Sequence, residues 1–241
     1  NHRRILEEIA RVPGVSEVAV SNQLPFGGNV DMYGVWGADN PPTNPEQVPS
    51  GDRYVVSPSY LHLMRIPILS GRSFTAADAA DTAVKVALVS QSLARRLWPG
   101  QSPLGKRMKI GSPDDPPRTI IGVTGDVKHR GLDAGITQQW YIPEGQFRQG
   151  ADNQIVVVVR TTGDPASVSS SVGRVIAAID PTQSVAKVAT MDQLISASTA
   201  QRRLALVLFS AFAGAALLLA VTGIYGVLAY LVTQRRREFG I

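Results

Sequence analysis

Asp126 and His129 lie three residues apart in GVTGDVKHRGLD, and a carboxylate beside an imidazole can work as a general acid–base pair. The same stretch reads more simply as a strand end and turn with solvated polar side chains, and that reading is preferred. The other histidines, His2 and His62, stand outside any H-E-x-x-H pattern and at no metal-ligand spacing. Cysteine is absent, which removes disulfides, thiolate metal sites and a cysteine nucleophile. No G-x-S-x-G elbow presents a serine, and neither G-x-G-x-x-G nor G-x-x-x-x-G-K-[ST] is present to cradle a phosphate. The expectation is a protein with no cofactor, no metal and no enzymatic reaction. If ATP drives it, another polypeptide or another segment binds the nucleotide.

The elements that position these residues follow from periodicity. Ile5, Leu6, Ile9 and Val12 share a helix face closed by Pro13-Gly14, and Val15–Val20 reads as a strand. Residues 22–50, with Pro25, Gly27, Gly28, Pro41, Pro42, Pro45 and Pro49, read as a loop. Short strands are predicted near Arg53–Val56 and at Val84–Val89, Lys106–Ile110, Arg118–Val127 and Gln138–Ile142. Helices are predicted at Ser59–Met64, with Ser57 or Ser59 as N-cap, and at Gln91–Leu97, capped by Ser90 and stopped by Trp98-Pro99-Gly100. A strand–helix–strand unit then runs through Gln154–Arg160, Asp164–Ile179 and Val185–Val188, ahead of a helix from Met191 with Thr190 as cap. The predicted fold class is α+β. A split ferredoxin-like, or porter-like, lobe is expected from 1–50 and 151–200, with a mainly β lobe inserted at 51–150.

Charge divides the chain differently. Its 241 residues include 24 Lys+Arg and 19 Asp+Glu, a formal net charge of +5, with 44% apolar and 18% charged residues. Residues 1–201 hold 19 basic and 18 acidic residues, and the remaining basic ones, Arg202, Arg203, Arg235, Arg236 and Arg237, bracket one apolar run. Nucleic-acid binding would instead spread Lys and Arg over a folded face among aromatics, so no nucleic-acid partner is expected.

From Leu204 to Val232 the run has 29 residues and no charge. As a helix it is about 43 Å long, against about 30 Å of bilayer hydrocarbon. A transmembrane helix is therefore predicted over 202–234, with a cytoplasmic segment at 235–241. Ser210 and Gly214 are four apart, and Gly223 and Gly226 are expected to continue the small-residue surface that packs on other membrane helices. Three arginines after the span against two before it place residues 1–200 outside and the tail inside. The missing initial methionine and the ending REFGI lead us to expect a piece of a longer protein.

Six stretches resemble the periplasmic core domain of MacB-like transporters. They are VSPSYLHLMRIPILSGRSFTAAD (56–78), VALVSQSLARRLWPGQSPLGKRM (86–108), IIGVTGDVKHRGLD (120–133), VVRTTGDP (158–165), IDPTQSVAKVATMDQLI (179–195) and FAGAALLLAVTGIYGVLAYLVTQRRREFGI (212–241). They follow the family's order and extend over nearly the whole chain. The subtype most similar is the acidobacterial duplicated orphan permease, with two core domains each followed by FtsX-like membrane helices. The resemblance implies a permease subunit of a bacterial inner-membrane ABC transporter, with a two-lobed domain in the periplasm. It implies that the domain does no chemistry and passes on conformational change driven by a separate cytoplasmic ATPase. The positions matching the coupling segment are Arg235, Arg236, Arg237, Glu238 and Phe239 within QRRREFGI, and further transmembrane helices of the same full-length protein are implied partners. This sequence departs from MacB itself in carrying no ATPase portion.

Two functions from different classes fit these features. One is a permease segment that transmits ATPase motion for efflux or extracytoplasmic work. The other is a membrane-anchored extracytoplasmic binding or sensing module without transport. The small residues of the span and the REFGI ending favour the first.

Overall fold

A computed structural model of the chain describes residues 2–28, 30–44, 48–80, 84–129, 131, 135–146, 155–179 and 188–238. The chain divides into two units, 1–194 and 195–241. In the first, α1 (His2–Ala10) buries Ile5 and Ile9, with buried Val12 just beyond, because residues four apart share a helix face. Gly14, at φ 89°, takes the left-handed conformation that turns the chain into β1 (Val15–Ser21). β1 pairs antiparallel with β9 (Val156–Thr161), from Val15↔Thr161 to Ser21↔Val156, and α4 (Pro165–Ile179) packs against α1. The beginning and end of this unit thus meet as one helix-on-sheet group.

Between them lie β2 (Met32–Gly37), β3 (Ser50–Val56), β5 (Val86–Ser90), β6 (Arg107–Ile110), β7 (Arg118–Thr124) and β8 (Gln139–Pro143). They pair in the order β2-β6-β7-β5-β8-β3, and β3 pairs back onto β2, so the six strands close on themselves as a barrel. One buried cluster draws on all six: Val35, Met108, Ile120, Val89 and Trp140, with Val55 packed against them. Successive side chains point to opposite faces, and a face shared by every strand of a closed sheet is its interior. Leu93 and Ala94 of α3 (Gln91–Leu97) and the following Trp98 complete this cluster. Trp140 Nε1 donates to the Gly51 carbonyl at 3.1 Å, which satisfies the one polar atom of that buried indole.

A second cluster occupies the other face, where Tyr54, Val56, Leu88 and Tyr141 meet α2 (Tyr60–Leu63) and Phe74. β4 (Ile68–Gly71) adds to β7, and Gly71 must be glycine there: φ is 78° and a Cβ would stand 2.3 Å from the Ile121 carbonyl oxygen.

Several sequence expectations change. The stretch 22–50, expected as a loop, contains β2, whose Val35 and Trp36 are buried. Its partners β3 and β6 tie it to the barrel, across the boundary expected at residue 50. β4 has no counterpart among the predicted strands. Ser59 is the N-cap residue of α2, but its hydroxyl makes no capping bond: Ser59 Oγ donates to the Val18 carbonyl at 2.8 Å, and Ser57 Oγ accepts from Val20 N at 3.0 Å. Ser90 does cap α3, accepting from Leu93 N. Thr190 also caps as expected, its Oγ1 accepting from Gln193 N at 3.2 Å while Thr190 N donates to Gln193 Oε1 at 2.9 Å, a reciprocal capping box. Of the strand expected at Val185–Val188, only Val188 is among the described residues.

The capping box opens α5 (Met191–Glu238), 48 residues of unbroken helix. Within the second unit, Leu206–Leu228 has a mean hydropathy of 2.2 and none of it is buried. It is the one candidate membrane span among the described residues, and an apolar surface on all sides is what a helix solvated by lipid requires.

Candidate functional site

Two sets of residues are expected to carry function, and all of them but Phe239 lie on α5. At about 100° per residue, Ser210 and Gly214 share one side of the helix. Gly223, nine residues beyond Gly214, falls on the opposite side, with Gly226 beside it. Ser210 and Gly214 thus lie on a different side of the helix from Gly223 and Gly226, with the small side chains of Ala211 and Ala215 between them around the helix. A Cβ at Gly214, Gly223 or Gly226 would meet nothing within 4 Å. Thr222, next to Gly223, donates its hydroxyl to the Leu218 carbonyl at 2.7 Å, so that polar atom is satisfied within its own helix.

The second set begins where the apolar stretch ends. The backbone stays helical through Arg235, Arg236, Arg237 and Glu238, which places all four in the last turns of α5. Phe239 lies outside the described residues.

Asp126 and His129 take different partners. Asp126 Oδ1 accepts from Ser92 N at 2.9 Å, at the start of α3. His129 is buried, and its Nδ1 meets the Tyr54 hydroxyl. Burial pushes the Tyr54 and Tyr141 hydroxyls well above the usual phenol range, so both stay neutral. His62 sits on the surface with Nδ1 3.0 Å from Glu17 Oε2. Among the described residues, no three or more His, Cys, Asp or Glu side chains gather where they could hold a metal ion.

Sequence reasoning missed a polar network at the barrel seam. Arg53 is 1% exposed and donates through Nε to Asp31 Oδ2 at 2.7 Å, while its guanidinium lies 5.0 Å from the centre of the Tyr33 ring. Asn22 Nδ2 donates to the same oxygen, and Gln23 Nε2 to the Arg53 carbonyl at 2.6 Å. No local signal distinguishes this arginine from an exposed one, because its burial depends on strands that are distant in sequence.

The described residues form a closed barrel, a helix-on-sheet group and one long helix. A family model described as the MacB-like periplasmic core domain matches residues 3–175. The chain is 25% identical over 190 residues to the uncharacterized ABC transporter permease YknZ of Bacillus subtilis (strain 168), a match covering 77% of this chain and 46% of that protein. This chain thus spans about half the length of that curated relative.

Two solved structures share the fold. The periplasmic region of MacB from Actinobacillus actinomycetemcomitans superposes with a TM-score of 0.51 at 14% identity, over 73% of this chain and 72% of that one. The extracellular domain of the noncanonic ABC-type transporter YknZ from Gram-positive bacteria gives 0.53 at 19% identity, over 74% and 83%. With the family match running from α1 into α4, this chain belongs to the MacB-like periplasmic core domain family.

Proposed function

We propose that this chain is the periplasmic domain and one membrane helix of a permease that transmits ATPase-driven conformational change across the bacterial inner membrane, for efflux or other extracytoplasmic work. The observation that carries this reading is the continuity of α5, helical from Met191 to Glu238 through the apolar stretch. A helix of 48 residues is about 72 Å long, more than twice the hydrocarbon thickness of about 30 Å. It therefore reaches beyond the lipid, and its unbroken backbone hydrogen bonds let displacement at one end reach the other.

On this reading residues 1–200 lie in the periplasm and 235–241 in the cytoplasm. Arg235, Arg236, Arg237, Glu238 and Phe239 form the contact to a separate ATPase. Ser210 and Gly214 on one side, and Gly223 and Gly226 on the other, face further transmembrane helices of the same full-length protein. The group of α1, β1, β9 and α4 corresponds to the porter-like lobe, and the barrel, with β2 included, to the inserted lobe.

Arginines that only bound anionic lipid would be worth about 1 kcal/mol each and would be indifferent to Glu238 and Phe239. A docking surface uses both residues, the carboxylate as a charge of defined geometry and the ring as an apolar contact. Glu238→Ala with Phe239→Ala is expected to abolish co-purification of the ATPase with the full-length protein and its stimulation of ATP hydrolysis. Retention of both would reduce the arginines to lipid anchors and favour a membrane-anchored binding or sensing module.

A further inference from the structure

α2 lies in sequence between two strands of the barrel region, β3 and β4, yet it packs on β1 of the helix-on-sheet group. The cluster around it joins Ala19 of β1 and Val158 of β9 to Tyr54 and Tyr141 of the barrel, with Tyr60, Leu61 and Leu63 of α2 in the same cluster. A single core thus belongs to both parts of the domain. Direct strand pairing between them is slight, one register position at Ser21↔Val56. One such pair gives little resistance to bending.

Side chains continue where that ladder stops. Ser57 Oγ accepts from Val20 N at 3.0 Å, and Ser57 N donates to the Val20 carbonyl at 3.1 Å. Val55 N donates to Asn22 Oδ1 at 2.9 Å, and Asn22 N to the Val55 carbonyl at 3.2 Å. Ser59 Oγ reaches the Val18 carbonyl, and the Arg160 guanidinium of β9 donates to the Leu63 carbonyl at the end of α2. The hydroxyl of Ser59 is used across this joint, so it is not available to cap its own helix. At the other end of α2, Arg65 holds φ 56°, and Ile66 N closes onto the Leu61 carbonyl at 2.8 Å. A left-handed arginine costs about 1 kcal/mol, and the closed turn it permits fixes the length of α2.

We infer that α2, with Asn22, Ser57, Ser59 and Arg160, locks the helix-on-sheet group and the barrel into one stiff lever, so that this domain moves as a whole and does not open between its two parts. The stiffness stands by itself; its use in passing on motion rests on the permease reading above.

The 241 residues contain no cysteine, so a full-length protein cleared of any other cysteines can be labelled at will. Spin labels go on Ser170→Cys, exposed on α4, and Asp114→Cys, exposed between β6 and β7. Electron–electron distance measurement is expected to give one narrow distribution, the same with and without ATP and the ATPase. Ser57→Ala should broaden it without any nucleotide and raise amide exchange at Val20 about tenfold. Arg160→Met, at a half-buried position, should broaden it as well and serves if Ser57→Ala does not fold.

A broad, two-peaked or ATP-shifted distribution in the unsubstituted joint would overturn the lever. So would a joint variant that folds with an unchanged distribution. Failure of the permease reading looks different: ATP would change neither this distance nor any other in the protein, while the joint variants would still broaden it.

Discussion

Arg53 Nε and Nη2 both lie 2.7 Å from one oxygen, Oδ2 of Asp31, and Arg53 N also donates to the Asp31 carbonyl. Asp31 immediately precedes β2 and Arg53 lies in β3, so this ion pair sits on the seam where the barrel closes. Arg53 is almost fully buried and Asp31 about a quarter exposed. A guanidinium withdrawn from water that far needs its charge compensated in place.

Asp31→Ala should therefore destabilise the protein by about 3 kcal/mol, because it removes a carboxylate from a buried cation. Asp31→Asn, which keeps a hydrogen-bond acceptor, should cost less. Chemical denaturation followed by the fluorescence of the buried Trp36, Trp98 and Trp140 reads the difference. Equal midpoints for Asp31→Ala and the unsubstituted protein would show that other groups neutralise Arg53.

Asp78 makes a pH-dependent contribution. Arg72 holds it with two bonds of 2.7 and 2.9 Å, and Thr75 adds bonds from N and Oγ1. The bond from Arg72, against a smaller opposing effect of burial and helped by Thr75, keeps the carboxyl well below the usual carboxylate range. A depressed pKa stabilises the fold above the unfolded-state value of about 3.9, and that stability is lost as pH falls toward the folded value. Arg72 is half exposed, so the contribution is discounted for solvent screening to about 1–2 kcal/mol. Melting of Asp78→Asn should trail the unsubstituted protein by a constant margin above about pH 5 and converge with it below about pH 4. A margin that stayed flat into strong acid would remove Asp78 as its source.

Gly214 and Gly223, on opposite sides of α5, predict separable effects. Gly214→Leu and Gly223→Leu both add apolar bulk, so insertion and membrane abundance should be unchanged. Each should weaken assembly with other helices, and the losses should add, because opposite sides meet different partners. Co-purification of the remaining membrane segments from single and double variants measures this. Full assembly in every variant would identify α5 as a lone span.

Orientation is open to direct labelling. A cysteine replacing Asp114 should react with an impermeant maleimide in intact spheroplasts, and one replacing Thr233 should be protected. The reverse pattern would invert the topology.

Much of the fold was legible because its signals are local. The face of α1, the strand β1, the cap of α3 at Ser90 and the cap of α5 at Thr190 each depend on residues within a turn or two of one another. The candidate span was legible for a related reason, since 29 uncharged residues and a bilayer thickness decide it by composition and length. β2 was hidden because proline- and glycine-rich flanks surround a six-residue strand, and a strand that short declares itself only through its partners.

By itself the sequence determined the α+β character, the absence of thiol chemistry, the candidate membrane span and the family resemblance, all properties of composition and near-neighbour pattern. Tertiary structure alone decided that six strands close into a barrel, that Arg53 is buried against Asp31, and that the hydroxyls of Ser57 and Ser59 bridge two parts of the domain instead of capping a helix. The physical reason is the range of the interactions. A helix cap is satisfied by atoms within a few residues, whereas the partner of Ser57 Oγ is 37 residues away and that of Trp140 Nε1 is 89 away, brought within reach only when the chain has folded.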